Sequence, residues 1–105
     1  MIFRRRRFGD VISRQLDLFG EDEANGLFAE VRERKEAYDR GGREEAEELY
    51  GDYVDAVETA TEALADMRDR FKGTLDETAG EQYEEEFNAA VKKRWPALGL
   101  EIDLR

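Results

Sequence analysis

The sequence predicts an all-α fold, a single antiparallel bundle of about four helices, and three observations support it. Proline occurs once, at Pro96, so few positions interrupt a helix. Apolar residues recur at spacings of three and four over most of the chain, which is the period of an amphipathic helix. Strand-like alternation is confined to the last few residues. With 105 residues and no internal repeat or linker, the chain has the length of one domain, 1–105.

The first two helices are predicted from their ends and their apolar faces. Helix one is expected to begin at Asp10, a favoured N-cap residue, and to end at Gly20. The apolar side chains on its inner face are Val11, Ile12, Leu16 and Phe19. Helix two is expected from about Glu21 to Arg40. Its apolar face contains Ala24, Leu27, Phe28, Val31 and Tyr38.

Helix three, from Glu44 to about Lys72, is the longest predicted element, at roughly 40 Å. Apolar residues along it alternate at spacings of four and three, which forms a heptad seam. The seam consists of Ala46, Tyr50, Tyr53, Val57, Ala60, Leu64, Met67 and Phe71. Gly51 lies inside this helix and costs roughly 1 kcal/mol relative to alanine. A close helix crossing at Gly51, or local fraying, would explain it.

Helix four is expected to begin at one of two Thr-x-x-Glu capping boxes, residues 74–77 or 78–81, and to stop before Pro96. Its apolar face contains Tyr83, Phe87, Ala90, Val91 and Trp95. In the tail, residues 96–105, apolar and polar residues alternate, which predicts an extended strap or a single strand. The chain therefore divides into a basic arm (1–9), a helical bundle (10–95) and an extended tail (96–105).

Composition excludes several kinds of chemistry. The chain contains no cysteine and no histidine, which rules out disulfides, thiolate and zinc sites, iron–sulfur clusters and Ser-His-Asp triads. We expect no cofactor and no metal site. No apolar run reaches the ~18 residues of a membrane-spanning helix, and the N-terminus lacks the apolar run of a secretory signal. These features favour a soluble, cytoplasmic protein.

Acidic pairs raise the possibility of a metal-dependent enzyme. Small all-helical nucleotide pyrophosphohydrolases hold magnesium with Glu-x-x-Glu on one helix and Glu-x-x-Asp on another, and Glu44-x-x-Glu47 resembles the first half of that pattern. The nearest second half, Asp66-x-x-Asp69, lies on the same predicted helix, roughly 33 Å further along. The two pairs cannot share an ion in one subunit, so we expect solvated acidic faces and no enzyme activity.

Charge is distributed unevenly along the chain. Residues 1–14 carry a net charge of +4 while the whole chain carries −10, so the remainder carries −14. The basic run, Arg4, Arg5, Arg6 and Arg7, could contact phosphates or anionic lipid. The alternative, favoured by the charge balance, is that this arm lies against the acidic body of the protein itself.

One short motif resembles a known docking peptide. Gln15-Leu16-Asp17-Leu18-Phe19 is similar to the segment by which bacterial DNA polymerases and repair proteins bind the replication sliding clamp. The resemblance covers these five residues only. It implies that the Gln15 amide binds a polar slot, while Leu16, Leu18 and Phe19 fill an apolar groove. Alternatively, the five residues form the buried last turn of helix one, which accounts for Leu16 and Phe19 but not for Leu18.

The sequence therefore predicts a non-enzymatic protein–protein interaction module, with the sliding clamp as the named candidate partner. Two alternatives stay open. The first is a structural protein that self-associates through the seam of helix three. The second is a peripheral protein whose arginine arm contacts nucleic acid or membrane.

Overall fold

The computed structural model describes residues 7–21 and 26–105, and every regular element in these two ranges is helical. The elements are α1 (Gly9–Glu21), α2 (Leu27–Arg40), α3 (Ala46–Lys72), α4 (Glu77–Arg94), a 3-10 turn (Pro96–Leu98) and α5 (Gly99–Leu104). The prediction of an all-α fold is confirmed. None of the described helices is long and apolar enough to cross a membrane.

The long helix α3 organises the fold because different helices cover its two halves. On the first half, the start of α2 lies near Thr59 of α3 and its end near Tyr50, with the Tyr38 and Tyr50 rings 5.5 Å apart, so the two helices run in opposite directions. On the second half, α4 also runs opposite to α3, because the Tyr83 ring lies 4.7 Å from the Phe71 ring while Asn88, later in α4, bonds Arg68, earlier in α3. Where α4 ends and α2 begins, Trp95 stacks on a ring of α2.

Helix α1 packs on α4 and runs in the same general direction. The Phe8 amide donates to Glu86 Oε1 at 3.1 Å, and further along both helices Arg94 donates to Asp17 Oδ1 at 2.6 Å. This pair therefore differs from the alternating directions of the predicted antiparallel bundle.

The hydrophobic core lies at one end of the molecule. Its buried apolar side chains are Phe8, Ile12, Leu16, Val57, Ala60, Leu64, Ala65, Ala79, Tyr83, Phe87, Val91, Leu98 and Ile102. They come from α1, the second half of α3, α4 and the C-terminal segment. By contrast, α2 contains no buried residue, and the buried residues of α3 begin only at Ala56. The hairpin of α2 with the first half of α3 is therefore only partly covered.

The prediction of an extended tail is wrong, because residues 96–105 form the 3-10 turn and α5. Leu98 and Ile102 are buried in the core, whereas Leu100 and Leu104 are exposed. Residues four apart share a helix face, so an alternating pattern also fits a helix that buries every second apolar residue. The sequence pattern did not distinguish these two possibilities.

A buried arginine attaches the C-terminal segment to α3 and α4. Arg68 is only 1% exposed, and its guanidinium donates to Asn88 Oδ1 at 3.0 Å and to the Ile102 carbonyl at 3.3 Å. Its Nε atom donates to Asp69 Oδ1 at 2.9 Å. Lys92 and Asp103 add an ion pair between α4 and α5.

Three predicted helix boundaries are corrected. Helix α2 begins at Leu27 instead of Glu21, after Gly26 in the left-handed region (φ 55°), and Glu21 belongs to α1. Ala24, assigned to the α2 face, lies outside the described residues. Helix α4 is capped by Asp76, whose carboxylate accepts from the Ala79 amide at 2.8 Å, and not by a Thr-x-x-Glu box. Asp76 is placed to accept this bond because it is the last extended residue before the helix.

Gly51 does not mark a helix crossing within the described part of the chain. It lies in the uninterrupted α3, and a Cβ added there would meet no atom within 4 Å. Its intrinsic cost in a helix is therefore not offset by any close contact among the described residues.

Candidate docking segment on the first helix

The five motif residues occupy the second half of α1 and are helical. Leu16 is completely buried against the core, and Phe19 is half-buried with its ring 5.5 Å from that of Phe28. Leu18 is 58% exposed. Leu18 thus points to a different side of the helix from Leu16 and Phe19, because consecutive helical residues are rotated by about 100°.

The polar side chains of the motif are bonded to α4. The Tyr83 hydroxyl donates to Gln15 Oε1 at 2.8 Å, and Asp17 pairs with Arg94. Gln15 is partly exposed, whereas Tyr83 is fully buried. Leu18 is therefore the motif residue that the described structure leaves most available to a partner.

A groove runs beside the motif between α1 and α4, with a volume of about 690 Å³. Ile12 and Leu16 of α1 and Ala89 and Ala90 of α4 supply its apolar lining. Charged residues of α4 form the rim, namely Glu85, Glu86, Lys93 and Arg94. Among the described helices, α1 packs mainly against α4, so it depends on that interface for most of its burial.

The pKa of the tyrosine that bonds the motif is shifted. Burial raises the pKa of the Tyr83 hydroxyl to about 12. The neutral hydroxyl is the form that donates to Gln15. The bond between α4 and α1 is therefore retained well above neutral pH.

This shift predicts a loss of stability in alkaline solution. The pKa of Tyr83 is higher in the folded protein than its ordinary value of 10.0. The stability that its neutral hydroxyl contributes is therefore complete below about pH 10 and is lost as the pH rises towards 12. Two pKa units correspond to about 2–3 kcal/mol. In urea unfolding measured at neutral pH and near pH ~11, the wild type should lose more stability than Tyr83→Phe. Equal losses would show that Tyr83 does not titrate as a buried group.

Of the arginine arm, the structure describes only Arg7; Arg4, Arg5 and Arg6 lie outside the described residues. Arg7 is exposed, and its guanidinium lies 5.1 Å from the centre of the Phe8 ring.

The heptad seam of α3 is largely covered within the chain. Val57, Ala60 and Leu64 are buried in the core, whereas Tyr50, near the start of the seam, is 52% exposed. Trp95 is half-buried and stacks on Phe28 with a centroid distance of 4.2 Å. The part of the seam left open lies on the hairpin of α2 with the first half of α3.

No acidic cluster in residues 7–21 and 26–105 is placed to hold a metal ion. No protein-family model matches the chain, and comparisons with curated proteins and with solved structures found no significant match. The candidate site therefore rests on the residues of this chain alone.

Two contacts of the site were not foreseen from the sequence. Tyr83 was placed on the apolar face of helix four and Arg94 was given no role, yet they bind Gln15 and Asp17 of α1. The partners are separated by 68 and 77 positions along the chain. No local pattern joins residues so far apart.

Proposed function

We propose that this protein is a cytoplasmic, non-enzymatic helical interaction module that docks on a protein partner through α1. The candidate partner is the bacterial sliding clamp, which the resemblance of Gln15, Leu16, Leu18 and Phe19 implies. The observation that carries the proposal is the exposure of Leu18, which packing within the described chain does not require. An exposed leucine inside a complete docking motif is accounted for by a partner.

Docking of all four residues requires α1 to leave α4. Clamp-binding peptides bind in a largely extended form, whereas Leu16 is buried and Gln15 is bonded to Tyr83. Exposing one buried leucine costs about 1.5–3 kcal/mol. Release also exposes Ile12, which is buried in the same core, so the total is at least about 3 kcal/mol. At that cost roughly one molecule in 150 is competent, and the apparent affinity falls by at least the same factor. The stability of the folded core thus sets the fraction of molecules in which the motif is available to the clamp.

Two substitutions should change clamp binding in opposite directions. Leu18→Ala should abolish binding and leave the stability within about 0.5 kcal/mol of wild type, because the side chain is exposed. Tyr83→Phe removes a bond that holds α1, worth about 0.5–1.5 kcal/mol, and should strengthen binding roughly two- to tenfold. Both effects can be measured by calorimetric titration with a bacterial sliding clamp.

The matched control is Leu100→Ala, since Leu100 is an exposed leucine on α5, 75% exposed, and belongs to no motif. It should bind the clamp like wild type. Unchanged binding by Leu18→Ala, or weaker binding by Tyr83→Phe, would contradict docking through a released α1.

Amide hydrogen exchange over residues 8–20 tests the release directly. We expect slow exchange in the free protein, because α1 is held on α4, and a changed exchange pattern once the clamp is added. Exchange that is slow and unaffected by the clamp would show that the motif has only a packing role.

A further inference from the structure

One face of α3 has no covering helix among the described residues. The second half of α3 is covered by α4 and α5, as the bonds of Arg68 to Asn88 and to the Ile102 carbonyl show. In residues 46–55 no side chain is buried, and α2 packs along one side only. A stripe that extends from the edge of the α2 contact around α3, which we call the Gly51 face, consists of Glu47, Tyr50, Gly51, Val54 and Glu58. Tyr50 lies at its edge, where its ring also contacts Tyr38 of α2.

These five residues share one side of the helix because they are spaced by three or four positions. Tyr50 is 52% exposed and Val54 is half-buried. Between them, Gly51 provides a position without a side chain, and an added Cβ would point into open space. Glycine at a helix interface lets a second backbone approach closely. The face therefore has the shape that receives another helix.

The described helices are engaged elsewhere and supply no occupant for this face. Helix α1 is bonded to α4 through Gln15 and Tyr83, and α5 is held on Arg68 through the Ile102 carbonyl. Helix α2 lies along α3, with Tyr38 against Tyr50. A helix of another molecule is therefore the occupant that fits.

Charge identifies the kind of molecule. Glu47 and Glu58 flank the face at its two ends, and neither forms an ion pair with a described residue. Two copies stacked through this face would place glutamates against glutamates in either orientation, which is destabilising. A helix that carries lysine or arginine beside its apolar stripe would instead pair with both.

We propose that the Gly51 face binds a basic amphipathic helix of a protein partner. The guest helix adds to α2 and α3, so that this half of the molecule becomes a three-helix unit like the half that contains α4. Binding here does not depend on α1, because Leu18 and the Gly51 face lie on different helices.

The test uses two labelled synthetic peptides that share a leucine stripe at heptad spacing and differ only in lysine or glutamate at the flanking positions. Fluorescence anisotropy should show that the lysine peptide binds and the glutamate peptide does not. Gly51→Leu fills the open space and should weaken binding of the lysine peptide at least about tenfold, a loss of 1.4 kcal/mol or more. Its helicity and unfolding midpoint should be no lower than those of wild type.

Two control variants are expected to bind the lysine peptide like wild type. Thr59→Leu adds the same side chain at an exposed position on the other side of α3, beside Leu27. Leu18→Ala removes the exposed residue of the α1 motif. If this variant fails to bind the clamp, it should still bind the lysine peptide. The two proposals are thereby tested separately.

Several outcomes would overturn the assignment. Equal binding of the two peptides, no binding of the lysine peptide, or normal binding by Gly51→Leu would show that the face is not a basic-helix site. Sedimentation as a dimer that Gly51→Leu converts to a monomer would assign the face to a second copy. Binding of a peptide of residues 1–14 as tightly as the lysine peptide would likewise assign the face to a second copy.

Discussion

Leu16→Ala should lower the free energy of unfolding by about 2–5 kcal/mol, the range for removing a buried leucine from a core. Leu16 is completely buried, and its side chain belongs to the same cluster as Tyr83 and Phe87 of α4. A domain of this kind has about 5–15 kcal/mol of stability in total, so the loss is a large fraction of it. Urea unfolding followed by circular dichroism gives the difference.

The comparison with Leu18→Ala makes this experiment informative about function. The two leucines lie two positions apart in the same motif, but Leu18 is exposed and its replacement should change the stability by no more than about 0.5 kcal/mol. If both variants retained wild-type stability, α1 would not be packed on α4. The motif would then be a free docking peptide, and its affinity for the clamp would not be lowered by the cost of releasing α1.

Arg68→Ala should cost about 3 kcal/mol, since it removes a large buried side chain together with its hydrogen bonds. The guanidinium bonds Asn88 of α4 and the Ile102 carbonyl of α5, and no other described side chain bonds both of these helices. Asp69 and Glu84 also pair with it but are partly exposed, so water can solvate them after the substitution. The loss of stability should therefore come mainly from the hydrogen bonds that Asn88 and α5 no longer receive and from the space left in the core.

Hydrogen exchange locates this loss. Amides of residues 99–104 should exchange faster in Arg68→Ala, because α5 is short and depends on packing for its stability. Arg70→Ala is the matched control, since Arg70 is an exposed arginine two positions along α3. Similar unfolding midpoints for the two variants would contradict the role of Arg68 in holding the C-terminal segment.

Sequence reasoning located the candidate segment but not its surroundings. The residue pattern of positions 15–19 is local and can be compared directly with a known motif. The bonds that restrain it involve Tyr83 and Arg94, which lie far away in the chain. The Gly51 face could not be predicted from the sequence alone. The sequence shows that Gly51 lowers helix stability relative to alanine, but it does not show the open space beside it.

Local physics accounts for what the sequence by itself determined. The period of the apolar residues, the glycine after Lys72 and the single Pro96 define long helices and their ends, and the absence of histidine and cysteine limits the chemistry. The tertiary structure decided the tail, since its alternating residues fit either a strand or a helix until Leu98 and Ile102 are buried. It also decided the direction of α1. Both outcomes depend on which distant surfaces meet, and burial of apolar area against those surfaces is an interaction that no local pattern encodes.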